Sequence, residues 1–184
     1  MKLRLGLALA LACASCAAAP HGPAESLRGT DGAVHPIAPL EGDRYAVVIF
    51  FSADCHVLRA HDDRIRQLAA DFAPRGVRFW AVDSEVGATL ERDRAEVARR
   101  GYGFPILLDP GAAVAKTFGA EYAGHTVVLD RAGHVVYRGG IDSDRVHLTD
   151  DAAPFLRDAL ADLVAGRPPR VAEAKVLGCV IRTW

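Results

Sequence analysis

Net charge is nearly absent from this chain: 22 lysines and arginines stand against 23 aspartates and glutamates, a formal −1. The two signs are mixed along the sequence and gather in no tail or patch. Nothing electrostatic therefore points to nucleic acid or an anionic membrane surface as a partner. Long apolar runs are missing too. The stretch from Leu5 to Ala12 falls far short of the ~20 residues that span a bilayer, which argues against a permanent anchor helix. Internal repeats and low-complexity domains are absent. Cysteine is scarce, with four in 184 residues, two of them in the first 16. What remains is an ordinary globular composition, 51% hydrophobic and 24% charged. The length suits one domain with a real core.

The N-terminus carries the first positive signal. Lys2 and Arg4 precede the apolar stretch, and small residues from Cys13 to Ala19 follow it. A basic start, a short apolar segment and small residues are the three parts of a secretory signal. Residues 1–19 are thus expected to direct export to the periplasm or cell envelope, and 20–25, rich in Pro, Ala and Gly, to form a tether. Two processing routes stay open. Cys13 and Cys16 each fit partly the place of a lipid-accepting cysteine, and membrane contact is expected only through such an anchor. Ordinary cleavage after Ala17 or Ala18 is the alternative, whereas Pro20 argues against a cut after Ala19. Cys13 and Cys16 are not read as a redox pair, because they lie in the segment to be removed. Cys55 and Cys179 are then the cysteines of the mature domain, and in an oxidising compartment they raise the question of a mutual bond.

Beyond the tether, Asp31-Gly32 between two short extended pieces signals a hairpin. Ala46 to Phe51 is a continuous β-branched and aromatic run, suited to a strand buried on both faces. From Ala53 the period changes: Leu58, Ile65, Leu68, Ala69 and Phe72 fall at helical spacing, stopping at Pro74-Arg-Gly76. Val77 to Val82 reads as a strand, Ala88 to Arg100 as a charge-laced helix closed by Gly101, and Phe104 to Leu108 as a short strand. A brief helix over 112–118, a second hairpin from Thr126 to Tyr137 and an amphipathic helix over 152–165 complete the domain. The tail, 167–184, carries Cys179 and is too apolar to be simply disordered. This order predicts an α/β three-layer sandwich, a mixed β-sheet with helices on both faces.

With Phe50-Phe-Ser-Ala-Asp-Cys55 at the junction of the first buried strand and first long helix, the chain resembles the thioredoxin-like superfamily. More narrowly it resembles the redoxin branch, the alkyl hydroperoxide reductase and thiol-specific antioxidant proteins. Leu27-Arg-Gly-Thr-Asp-Gly32, Phe104-Pro-Ile-Leu-Leu-Asp-Pro110 and Val128-Leu-Asp-Arg-Ala-Gly-His-Val-Val-Tyr-Arg-Gly139 support this over 26–166. The resemblance implies an exported thiol oxidoreductase with Cys55 as nucleophile. In its peroxidase version the partner is a small hydroperoxide, otherwise a thiol or disulfide. A thiol at a helix start meets unpaired N–H groups and the positive end of the helix dipole, which favour thiolate. Arg59, one turn on, adds positive charge if it faces the same way. Ser52 stands where relatives carry a hydroxyl that bonds sulfur or peroxide, and His125 lies in the loop that faces the thiol in this fold.

The departures are as informative. Leu58 stands where thioredoxins have a second cysteine, so local dithiol chemistry is absent. Val48 replaces a proline usual in the peroxidases, and Ala123-Gly-His125 lacks the proline that precedes the facing strand.

Each candidate has a plainer alternative. Cys55 could be a small buried hydrophobe at a turn. Cys179 could be a resolving cysteine, an unpaired thiol packed under the tail, or half of a static disulfide that stabilises by ~4 kcal/mol in the chain-entropy model. His56 and His61 raise a copper site, since thiolate plus imidazole suits soft metals, but solvated helix histidines are the preferred reading, and no cofactor or metal is assigned. Arg138 reads as a surface or salt-bridge residue. The competing functions are a non-catalytic binding module of the cell envelope and a copper carrier.

Overall fold

The structure, a computed structural model, describes residues 25–183. The expected signal and nearly all of the tether lie outside the described residues.

Seven strands form one mixed sheet in the order β2-β1-β5-β4-β3-β6-β7. At its centre β3 (Tyr45–Phe51) pairs in parallel with β4 (Val77–Asp83) and antiparallel with β6 (Thr126–Asp130). Its Val, Ile and Phe run is buried from Ala46 onward because it has neighbours on both edges and layers on both faces. β5 (Ile106–Leu108) extends the parallel part beyond β4. The expected hairpins are β1 (Ser26–Gly29) with β2 (Val34–Pro36), and β6 with β7 (Val135–Gly139).

Phe50 and Phe51 point to opposite faces, as successive strand residues must. Phe51 lies under the Arg100 guanidinium of α3 (Leu90–Arg100), 4.7 Å away, while Phe50 meets Phe118 of α4 (Ala113–Phe118) with ring centroids 6.3 Å apart. Helices therefore cover both faces, in the three layers expected. On the α3 side lie α1 (His56–Ala60), α2 (Asp62–Phe72) and α5 (Phe155–Val164), tied by Arg66 Nη1 donating to the Arg100 carbonyl and by Arg157 on Asp71. Among the described residues no helix is long and apolar enough to cross a membrane.

One expected helix arrives in two pieces. His61 breaks it with φ −91° and ψ 3°, capping α1 and opening α2. Its Nδ1–H donates to the Val57 carbonyl at 2.8 Å and its Nε2–H to Asp142 at 3.1 Å. Both partners, a carbonyl and a carboxylate, are acceptors, and against the effect of burial they raise the His61 pKa from its usual value. Arg64 on Asp142 and Asp144 completes this network, which pins the 140–154 loop to the α1–α2 break.

The tail is packed, not loose. After α5 it returns along β7, where the Arg138 N–H donates to Ala172 and the Ala174 N–H to Arg138. A Cβ on Gly140 would lie 2.6 Å from the Lys175 oxygen, so the approach requires glycine. The chain then crosses the end of the sheet and pairs Val180 with Tyr122 in an antiparallel bridge.

Candidate active site

Cys55 sits where β3 ends and α1 begins, wholly buried. Its Sγ accepts the Leu58 N–H at 3.3 Å, as a helix-capping group would. The dominant neighbour comes from 124 residues away: Cys55 Sγ lies 2.6 Å from Cys179 Sγ. Both are free thiols, and a closing movement of about half an ångström would reach the ~2.05 Å of a disulfide. Cys179 itself is half-buried.

The backbone around Cys179 fixes this meeting. The Ala123 N–H donates to the Cys179 carbonyl and the Ile181 N–H to Glu121, both at 2.9 Å. Next to the sulfur, Gly178 presses on the 121–123 loop so closely that a Cβ there would sit 1.9 Å from the Ala123 oxygen. Tail and loop meet backbone to backbone at the end of the sheet where the parallel strands finish.

Electrostatics reverse one expectation. A helix-start position favours thiolate, yet the Cys55 thiol is pushed up from its usual value. Burial is the main cause, followed by the S–H donated to Cys179, and together they outweigh the backbone hydrogen bonds from Leu58 and Cys179. The helix is five residues long, and the tail has taken the place of water.

The side chains of the other predicted residues bond elsewhere than to the sulfurs. Ser52 is buried, and its carbonyl accepts the Cys55 N–H at 3.3 Å. Arg59 turns its Nη2 back to the Ala53 carbonyl at 2.9 Å. Hydrogen-bond partners of the sulfurs include each other, the Leu58 N–H and the Cys179 backbone for Cys55, and His56, whose Nδ1 is 3.9 Å from Cys179 Sγ. His125 is buried against Phe50, ring centroids 5.9 Å apart, with its Nε2 unpartnered. Burial, then the Arg138 charge, lowers its pKa to about 4, so the ring is neutral at neutral pH. Of the two readings of Arg138, surface or salt-bridge residue, the ion pair is not made among the described residues; the side chain is half-exposed, with its Nε buried without a partner. Both ring nitrogens of His61 are engaged, with the Val57 carbonyl and with Asp142. Among the described residues no group of three or more His, Cys, Asp or Glu side chains is arranged to hold a metal ion.

Two features were missed from sequence. Arg100 is buried, bonding Glu96 and Asp62 and donating to the Ser52 and Ala53 carbonyls at 3.3 and 3.1 Å. It thereby shapes the turn that presents Cys55. The signal was available, because Asp93, Glu96 and Arg100 are the buried positions of α3 and share one helical face. The second is a carboxyl pair, Asp83 at the end of β4 opposite Phe51, and Asp93. Burial pushes both up, and the oxygens of Asp93 meet no donor unless Asp83 keeps its proton.

Comparison with known proteins follows the same lines. A hypothetical protein from Sinorhizobium meliloti 1021 superposes with a TM-score of 0.81 at 28% identity, covering 90% of this chain and 93% of that one. An uncharacterized conserved protein from Geobacillus kaustophilus gives 0.81 and 28%, covering 90% and 91%. The peroxidoxin BcpB from Mycobacterium tuberculosis shares the fold at 0.57, with 18% identity over 80% of this chain and 93% of its own. No curated protein matches the chain significantly. The sequence profile of the AhpC/TSA family matches residues 19–138, more than half of the chain. On that match, and on a thioredoxin-like sheet with a cysteine at the β3–α1 junction, the chain belongs to the AhpC/TSA family.

Proposed function

We propose that this chain is an exported thiol oxidoreductase in which Cys55 and Cys179 cycle between dithiol and disulfide. The observation that carries the reading is the 2.6 Å approach of two sulfurs 124 residues apart, held by a tail whose backbone is bonded to the core on both sides of Cys179. In the peroxidase version, Cys55 thiolate attacks a hydroperoxide oxygen. The O–O bond breaks, the leaving alkoxide takes a proton to become an alcohol, and Cys55 is left as sulfenic acid. Cys179 then attacks that sulfur, forming the disulfide and releasing water, and an external thiol restores both cysteines.

The full burial of Cys55 favours a second version, thiol–disulfide exchange without peroxide. Peroxide consumption with a thiol donor, measured in the wild type, Cys55→Ser and Cys179→Ser, separates the versions. Turnover lost in both variants supports the peroxidase. Exchange activity without peroxide turnover supports the second version. Equal background rates in all three proteins would leave the binding module, and a copper titration without thiolate absorption would remove the carrier. Mass spectrometry of the secreted protein with thiol trapping tests export, the cleavage site and acylation at Cys13 or Cys16.

A further inference from the structure

The two sulfurs of the pair are not equivalent. Cys55 is wholly enclosed, with the tail above it and β3, α1 and the 121–125 loop around it. Cys179 is half-buried, with Cys55 on its inner side. Beside Cys179 stands His56, an exposed residue at the first position of α1, with Nδ1 3.9 Å from the sulfur and within hydrogen-bonding range for a thiol. Nothing in the family resemblance gives His56 a role, and α1 needs no histidine at that position for packing.

Building on the dithiol–disulfide cycle above, we infer that His56 is the proton-transfer partner of Cys179, and that Cys179, not Cys55, is the sulfur that meets an external thiol. An imidazole exchanges protons readily near neutral pH, which suits it to a thiol that must alternate between S–H and S⁻. In the oxidising half, the His56 ring takes the Cys179 proton as the thiolate attacks the oxidised Cys55 sulfur. In the reducing half, the donor thiolate attacks Cys179 Sγ. A donor–Cys179 S–S bond forms, the Cys55–Cys179 bond breaks, and the electron pair leaves on Cys55 Sγ. There the Leu58 N–H at 3.3 Å receives the departing charge before Cys55 is reprotonated. A second donor thiolate attacks the donor sulfur of the mixed disulfide and expels Cys179, whose proton His56 returns. Two donor thiols are oxidised to one disulfide, and one protein disulfide becomes two thiols.

The reverse order, with the donor attacking Cys55, would require a second sulfur to enter a site already filled by Cys179 and closed by the Gly178–Ala123 contact. Charged groups flank His56 in the chain on both sides. Asp54 lies next to Cys55 and carries Arg92 from α3 and Arg182 from the tail. Arg59 is one turn along α1, and His125, in the loop before β6, is neutral near pH 7.

The test uses the full-length protein, oxidised so that the Cys55–Cys179 bond is formed, then exposed briefly to excess glutathione and quenched with acid. Freed thiols are capped with N-ethylmaleimide and located by peptide mass spectrometry. Glutathione on Cys179 with maleimide on Cys55 is the expected result, and the opposite labelling overturns the assignment. If no Cys55–Cys179 bond can be formed at all, the cycle itself fails and the inference falls with it. The role of His56 is read from His56→Gln and His56→Ala, with folding checked by thermal melting. Bond formation from the sulfenic state should slow by about tenfold or more near neutral pH and lose its inflection there. A rate and pH profile identical to the wild type would remove His56 from the mechanism.

Discussion

Two buried residues decide what the site can do, and each makes a prediction. The Cys55 thiol is held up by burial and by donating to Cys179. Removing the acceptor in Cys179→Ala should therefore lower its pKa, and the pH dependence of Cys55 alkylation should move to lower pH. A curve left in place would mean that burial alone sets it. Arg100 holds the carbonyls of Ser52 and Ala53 while pairing with Glu96 and Asp62. Arg100→Met takes one donor from Glu96, from Asp62 and from the two carbonyls, each of which keeps another in Arg99, Tyr102, the Cys55 N–H or Arg59, a loss of about 1–3 kcal/mol. Chemical denaturation measures it, and a loss below ~1 kcal/mol would show that water replaces the guanidinium. The position of Cys55 was legible because a buried strand meeting a helix is written in side-chain periodicity. The raised thiol was not, because its cause arrives from a tail held by backbone contacts at Gly140 and Gly178, which leave no hydrophobic pattern.

The elements show the same division. Periodicity reads one helix from Leu58 to Phe72, and the break at His61 escapes it, although Asp62-Asp63 mark a fresh helix start in the acidic manner such starts favour. What made the break invisible is its partner, since Asp142 lies in a loop some eighty residues on. Burial alone would lower the His61 pKa, but the Asp142 bond and the Val57 carbonyl more than offset it, and the net shift is upward from 6.5. The stabilisation from His61 is thus complete below pH 6.5 and is lost as pH rises through the elevated value. Asp142, shifted down from 3.8, loses its share only as pH falls through that lowered value. The loop should be best anchored between those limits, and Asp142→Asn should flatten the alkaline fall in melting temperature. Asp83 and Asp93 act in the same direction by another route. Burial raises Asp83 to about 8 and Asp93 to about 6, so stability declines as pH climbs from about 4 to about 8 and the pair loses its shared proton. Asp83→Asn removes the higher-titrating group and keeps a donor on Asp93, so the upper part of that decline should disappear while the part due to Asp93 and the His61 contribution remain. If both variants leave the stability–pH curve unchanged, neither network controls it.

At the scale of the whole molecule, the tail turns a sandwich with its site at one end of the sheet into a closed circuit from Cys55 to Cys179. Most of the fold was readable, since strand runs, helix stops at Gly76 and Gly101 and both hairpin turns are local signals. The return of the tail over the site was not, since it depends on which surfaces happen to accept a bare backbone. That return has a thermodynamic consequence. A bond between these sulfurs restrains a loop of more than a hundred residues in the unfolded chain, contributing ~4 kcal/mol in the chain-entropy model. Engineered disulfides often give less because they distort the native state. Here the sulfurs already stand 2.6 Å apart with the backbone bonded on both sides, so little distortion opposes the gain. For a domain of this size the oxidised protein should melt about 10 °C above the reduced one. Oxidised Cys179→Ser should melt at the temperature of the reduced wild type, because it keeps the tail and lacks only the bond. A melting temperature indifferent to reductant, in a protein whose thiols are shown by trapping to be bonded, would mean that the unfolded chain already holds the tail near Cys55. The tail's docking would then be an early event of folding and not a restraint added at its end.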